Sequence, residues 1–241
     1  MKLHPTDGNH GSESRPPDVS VVIPVHNGER FIEEAIDSVF RQSGFTLEVI
    51  VVDNLSTDGT AQRVRSSYGD SVILTREERP GAGPARNHGV RLARGKYLAF
   101  LDADDIWAAG KLEGQIGLLA ARPSLDLVFS HCQEFHDPGL DPGERGLCPC
   151  RPEPYPYVAP GTCVLERDKF LRAGDMPDFI GEFIAWYGWT QSLGMTSHVM
   201  PDVFLRRRIH TRNWTRGGRI NAGYPQALKW LLDRRRQALP I

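Results

Sequence analysis

Three carboxylates in four positions, Asp102, Asp104 and Asp105, directly follow the apolar run Tyr97-Leu98-Ala99-Phe100-Leu101. Like charges that close repel unless a cation lies between them. Oxygen ligands shared with substrate phosphates suit Mg²⁺ or Mn²⁺. The same acids would also serve as a solvated turn capping the next helix. Asp53 ends a second apolar run, Leu47 to Val52. Glu182 stands at the start of an apolar helical stretch, where the helix dipole stabilises a carboxylate, and Asp178 lies four residues before it. Arg86, in Ala85-Arg86-Asn87, offers a guanidinium to a phosphate or ribose, against the plainer reading of a surface helical arginine.

The elements that must position these groups alternate. Val19 to Val25 is a β-branched run closed by Pro24 and Asn27-Gly28, and reads as a buried strand and a turn. Phe31, Ala35, Ile36, Val39 and Phe40 recur at helical spacing. A second strand ends at Asp53, and Ser56 to Thr60 supplies turn and N-cap chemistry. Val72-Ile73-Leu74 is a third strand, and a helix is expected from Ala85 to Ala93. The run 97–101 then reads as a strand buried on both faces, with its acids where open α/β sheets place ligand crevices. Strand alternation would aim Asp102 and Asp104 the same way. Such βαβ units imply a mostly parallel sheet.

Further on, Leu112 to Leu119 is helical, Leu125 to Phe129 a strand, and Phe135 to Gly161 an irregular, Pro- and Gly-rich loop. In that loop Tyr155 and Tyr157 either stack on an acceptor or, the preferred reading, pack the loop onto the core. A short strand at 161–167 precedes a helix stopped by Gly174, and a buried helix covers Met176 to Tyr187. Val199 and Val203 to Leu205 are strand pieces before Arg206-Arg207-Arg208. In that run alternation sends Arg207 away from its neighbours. Ala227 to Leu239 forms a positively charged amphipathic helix, expected to dock on its own domain rather than on a membrane or partner.

At 241 residues, with 40% hydrophobic and 24% charged residues, the composition is that of an ordinary globular chain. A net charge of −1 gives no electrostatic footprint for nucleic acid. No apolar run approaches the roughly 20 residues of a transmembrane segment. Residues 1–17 lack a signal-peptide core and read as a disordered N-terminal arm, so a cytoplasmic protein is expected. Four cysteines are too few for a disulfide scaffold. The cluster His131, Cys132, His136, Cys148 and Cys150 lacks a Cys-x₂-Cys pair and is a poor zinc site. Gly81-x-Gly83 lacks the third glycine of a dinucleotide fingerprint and does not open the first βα turn.

Four ordered segments resemble the family 2 glycosyltransferases: Val-Ser-Val-Val-Ile-Pro-Val-His-Asn-Gly (19–28), Val-Val-Asp-Asn-Leu-Ser-Thr-Asp-Gly-Thr (51–60), Ala-Arg-Asn-His-Gly (85–89) and Phe-Leu-Asp-Ala-Asp-Asp-Ile-Trp (100–107). The resemblance covers roughly residues 18–215 and implies a single GT-A domain over 18–241. Its nucleotide-sugar half would be 18–107 and its acceptor half 108–215, with the C-terminal helix in 216–241. It implies a nucleotide-sugar donor, a divalent cation and inverting transfer to a hydroxyl, or a thiol, of a saccharide, natural product, lipid or peptide.

On this resemblance Asp53 or Asn54 reads the base, and Asp102 and Asp104 form the Asp-x-Asp pair, with Asp104 the direct ligand. Pro24, Val25, Asn27, Arg86, Asn87 and Ala103 complete the donor side. Glu182 is the expected base with Asp178 in reserve, and His210, in Arg-Ile-His-x-x-Asn, lies near the diphosphate or its metal. Asn54-Leu55 stands where relatives often carry Asp-Gly, and Ala185 and Trp189 stand where they often carry Asp and Arg. The rival readings are a metal-dependent nucleotidyltransferase and an inactive GT-A binding protein. The first would need a Gly-rich basic loop after strand one, where the chain has Pro24-Val25-His26-Asn27-Gly28. The second is disfavoured by the presence of Asp102, Asp104 and Glu182.

Overall fold

Short β-branched runs, each closed by a turn, build the centre of the molecule. The structure, a computed structural model, describes residues 15–213 and 219–238. Most of the expected arm, and Leu239 of the expected last helix, lie outside the described residues. Strands β1 (Val19–Val25), β2 (Leu47–Asp53), β3 (Ile73–Arg76) and β4 (Tyr97–Phe100) pair in parallel in the order β3-β2-β1-β4. Helices α1 (Ile32–Phe40), α2 (Thr60–Tyr68) and α3 (Ala82–Leu92) make the crossovers that parallel pairing requires. β4 is buried at every position and β1 almost so, because helices cover both faces. α3 starts three residues earlier than expected. Gly81, at φ +119, turns the chain into it, and Pro84 is tolerated in the first turn.

Past β4 the sheet becomes mixed. β8 (Val164–Glu166) runs antiparallel to β4 and to β6 (Leu127–His136), while β9 (Ser197–Ile209) runs parallel to β6. β5 (Ile106–Trp107) pairs antiparallel with β9, and β7 (Tyr155–Tyr157) antiparallel with β6. The expected strand at 125–129 is thus the first half of a longer one, and the expected loop 135–161 is structured. It contains the end of β6, helix α5 (Pro142–Leu147) and β7. Pairing with β9, which is distant in sequence, overrides the weak local pattern after Phe129. α5 carries a capping box: Glu144 N donates to Asp141 Oδ1 at 2.7 Å, and Asp141 N donates to Glu144 Oε2 at 3.2 Å. The two strand pieces expected near 199–205 are one strand with a register irregularity opposite Ser130–Cys132.

Apolar side chains fill both sides of the sheet. Ile32, Ile36 and Val39 of α1 and Leu112 and Ile116 of α4 (Lys111–Ala121) pack on one side. Ala85 and Val90 of α3, Phe170 of α6 (Arg167–Ala173) and Phe183 and Trp186 of α7 (Glu182–Ser192) pack on the other. Gly174, at φ +82, ends α6 as expected. Helix α8 (Arg219–Ala238) lies on α7, with the Arg234 guanidinium 4.8 Å from the Trp189 ring and 4.9 Å from that of Trp230. No helix among the described residues is long and apolar enough to cross a membrane.

A polar shelf backs the turn that follows β4. Trp107 Nε1 donates to Gly161 O at 3.0 Å, and Gln115 Nε2 donates to Val128 O and Thr162 O. Lys111, fully buried, donates to Gln115 Oε1 at 2.5 Å and lies 4.9 Å from the Trp107 ring centre. Burial pulls its ammonium from 10.5 down to about 7. The folded state then binds fewer protons than the unfolded one between about 7 and 10.5, so this lysine weakens the fold at neutral pH and the penalty fades as pH rises. Relative to Lys111→Met, the wild-type unfolding free energy should rise by about 1.4 kcal/mol per pH unit across that window. Paired denaturant titrations at several pH values measure it, and a flat difference would show that Lys111 stays charged in the fold.

Candidate active site

The carboxyl ends of β1, β2 and β4 open into a cleft of about 2090 Å³. That exceeds the roughly 300–1,000 Å³ of an ordinary small-molecule pocket and leaves room for a donor and an acceptor together. Pro24, Val25, Asn27, Asn54, Arg86, Asp102, Ala103, Asp104, Asp178, Glu182 and His210 all line it. Asp53 and Asn87 do not.

Arg86 sits at the centre of the site. Its side chain is 4% exposed; Nη1 donates to Glu182 Oε1 at 2.6 Å and Nη2 to Asp102 Oδ1 at 2.6 Å. Burial works against its charge, and the two carboxylates outweigh that and hold it protonated. This is neither a surface arginine nor one free to turn fully to a phosphate. Nε is buried without a partner, so the two carboxylates alone anchor the group among the described residues.

α3 also fixes where Glu182 lies. A Cβ on Gly83 would come 2.1 Å from Pro177 O, so only glycine permits this approach of α3 to the chain before α7. Asn87 Nδ2 donates to Met176 O at 2.8 Å and its Oδ1 accepts from Met176 N at 3.0 Å. Asn87, expected on the donor side, therefore grips the segment that leads to Glu182. Gly181, at φ +89, then turns the chain into α7, whose first residue is Glu182. Asp178 is exposed on the turn ahead of it. At the two positions that depart from relatives, Ala185 is buried and Trp189 Nε1 donates to Ala173 O at 3.0 Å; both serve packing.

The acidic segment is a turn, not the end of a strand. β4 stops at Phe100 and Asp105 N donates to Asp102 O at 3.0 Å, so strand alternation does not govern these acids. Asp102 goes to Arg86, and Asp104 goes the other way. His210 Nε2 donates to Asp104 Oδ2 at 3.0 Å, while its Nδ1 accepts from Arg212 N at 3.2 Å. Asn213 Nδ2 donates to the same Asp104 oxygen at 3.2 Å, and Asn213 Oδ1 accepts from His210 N at 2.6 Å. Arg208, buried, donates to Asp104 O at 3.0 Å and to Glu34, and its backbone N–H donates to Asp105 Oδ1 at 2.9 Å. Burial, reinforced by the charges of Asp104 and Asp102, pushes Asp105 well above the usual carboxylate range.

Sequence reasoning missed the roles of Asn213, Arg208 and Asp105. The His-x-x-Asn spacing was the available signal, because Asn three residues on can bond back to the backbone. Of the arginine run, Arg206 and Arg208 lie over the Phe135 ring and Arg207 turns to Glu134 and the cleft, as alternation requires. Tyr157 lines the cleft; Tyr155 packs against it and donates to Glu134 Oε1 at 2.8 Å.

The donor set fits a hard divalent cation that completes its shell with phosphate oxygens. Asp104 is 31% and Asp102 42% exposed at the cleft, and no group of three His, Cys, Asp or Glu side chains forms a closed cage among the described residues. His210 presents an N–H to Asp104, so it orients that carboxylate. On the opposite wall Asn54 uses its whole amide: Nδ2 donates to Glu77 O and Arg79 O, and Oδ1 accepts from Gly81 N at 2.8 Å. Asp53 Oδ1 accepts from Ser56 N at 3.1 Å. Asn27, at φ +53, accepts from Thr57 N at 2.8 Å. These bonds shape the loops of that wall.

Known proteins share this architecture. In solved structures, the Pyrobaculum calidifontis mannosyltransferase PcManGT, in complex with GDP-Man and Mn²⁺, superposes with a TM-score of 0.68 at 22% identity, over 94% of this chain and 66% of that one. Residues 1–349 of S. aureus TarS in complex with UDP-GlcNAc give 0.68 at 18% identity, over 90% and 67%. These likenesses show the GT-A fold. In sequence, the Escherichia coli UDP-Glc:alpha-D-GlcNAc-diphosphoundecaprenol beta-1,3-glucosyltransferase WfgD is 43% identical over 103 residues, 42% of this chain and 40% of WfgD. The chain spans less than half the length of the curated relatives it matches. The profile of glycosyl transferase family 2 matches residues 20–149, more than half of the 241 residues, and the chain belongs to that family of enzymes.

Proposed function

We propose that this glycosyltransferase moves a sugar from a nucleoside-diphosphate sugar to an acceptor hydroxyl by a single displacement with inversion. The observation that carries the reading is the placement of Glu182 and the Asp102–Asp104 turn on one cleft, linked by Arg86. On this reading residues 18–107 form the donor half and 108–215 the acceptor half. Arg86 occupies Glu182 Oε1, which leaves Oε2 to take the acceptor proton as its oxygen attacks the anomeric carbon. The bond from that carbon to the diphosphate breaks with both electrons, and the nucleoside diphosphate departs. Asp104, with Asp102, would hold Mn²⁺ or Mg²⁺, which when bound supplies positive charge against the departing diphosphate. His210 and Asn213 keep Asp104 in position for that role.

The GDP-Man and UDP-GlcNAc bound in the solved structures of similar fold support a nucleotide-sugar donor, and the activity for which WfgD is named supports a lipid-linked saccharide among the acceptors. A panel of nucleotide sugars, scored with Mn²⁺ for thermal stabilisation and hydrolysis, tests the reading. If none stabilises the chain or turns over, the reading is wrong.

Glu182→Gln should keep donor affinity while transfer to a hydroxyl falls by about 10²–10⁴. Asp178→Asn should stay within a few-fold of wild type; the reverse ranking would move the base to Asp178. For the metal, EDTA should remove transfer and added Mn²⁺ restore it. Asp104→Ala should lower transfer by about 10²-fold or more with little change in melting temperature. Undiminished rates after chelation would refute the metal assignment.

A further inference from the structure

Among the described residues the outward face of α8 stays exposed. Tyr224, Leu228 and Leu232 are 50%, 58% and 42% exposed, and steps of four residues put them in one stripe. The opposite face is engaged: Ala227 is buried, Arg234 lies between Trp189 and Trp230, and Leu231 packs on α7 where Gly188 leaves room. Docking on the parent domain therefore accounts for half of the helix only. Cations border the stripe: Lys229, Arg235 and Arg236 are exposed, against the single acid Asp233. Tyr224 is also part of the cleft lining, so the stripe runs from the cleft mouth outward.

We propose that this face of α8 docks the enzyme on an anionic lipid surface, with the leucines entering the interface and Lys229 and Arg236 meeting the headgroups. An apolar stripe with a basic border is the pattern by which an amphipathic helix lies in a membrane interface. A second copy of the chain fits less well. In a two-fold contact the same patch faces itself, which would set the basic border against its own image. An anionic bilayer is complementary instead, and each cation near it strengthens attachment about fivefold. Docked this way, the cleft mouth opens beside the bilayer and the acceptor is a hydroxyl on a lipid-anchored molecule. That consequence rests on the glycosyl-transfer reading, whereas the docking does not.

Co-sedimentation with phosphatidylcholine vesicles, with and without phosphatidylglycerol, tests it. The wild-type chain should pellet with the anionic vesicles, be released by salt and ignore the neutral ones. Leu228→Glu/Leu232→Glu should abolish pelleting. Lys229→Gln/Arg236→Gln, which touches only exposed charges, should weaken it about fivefold per cation removed. Hydrolysis of the donor in solution should be unchanged in both variants, so loss of docking reads separately from loss of chemistry. Failure to pellet with anionic vesicles, equal pelleting with neutral ones, or unaltered pelleting of both variants would overturn the proposal. So would a wild-type dimer in light scattering that the leucine substitutions dissolve, because a second copy would then cover the stripe.

Discussion

A buried guanidinium between two carboxylates constrains everything around this cleft. Taking Arg86 out of water costs several kcal/mol, and only close, well-aligned partners offset it. Both bonds are 2.6 Å, and they tie three parts of the chain: α3, the turn after β4 and the first residue of α7. Losing one carboxylate would leave an uncompensated charge in the interior, which typically costs about 3–5 kcal/mol. Glu182 and Asp102 are thus coupled through one side chain. Gly83 and Asn87 serve that coupling, one by letting α3 come close and the other by clamping the backbone at Met176.

A second buried cation anchors the other side of the turn. Arg208 holds the Asp104 carbonyl with its guanidinium and the Asp105 carboxyl with its backbone N–H, and reaches Glu34 on α1, while His210 and Asn213 take the Asp104 carboxylate. Arg208 lies on β9, in the mixed half of the sheet, and His210 and Asn213 lie in the segment that follows it. The parallel half therefore supplies the acids, and the mixed half fixes the direction of Asp104. A short turn held from both sides has little freedom, which suits a cation site that phosphate oxygens must complete.

Much of this was legible in the chain itself. The strands ending at Val25, Asp53 and Phe100 are apolar, β-branched and closed by turn residues, and each lies where that pattern puts it. Glu182 at a helix start and the acids after β4 were equally visible. The buried state of Arg86 was not, because its partners lie 16 and 96 residues away and no local pattern encodes them. The same holds for residues 129–136, which pair with β9 against a weak local signal, and for Asn87, whose amide serves Met176. The divergence of Asp102 from Asp104 followed from a turn where a strand was expected. Local periodicity reports faces of elements; it does not report which distant charge an interior group finds.

In the proposed reaction the Glu182 oxygen that Arg86 leaves open takes the acceptor proton and no carboxylate bonds to the sugar, so the account rests on one displacement. The anomeric configuration of the first product formed, read by proton NMR from a donor of known configuration, tests this most directly. The account predicts inversion, a β-linked product from an α-linked donor. Retention would contradict it, because a single displacement inverts the anomeric carbon.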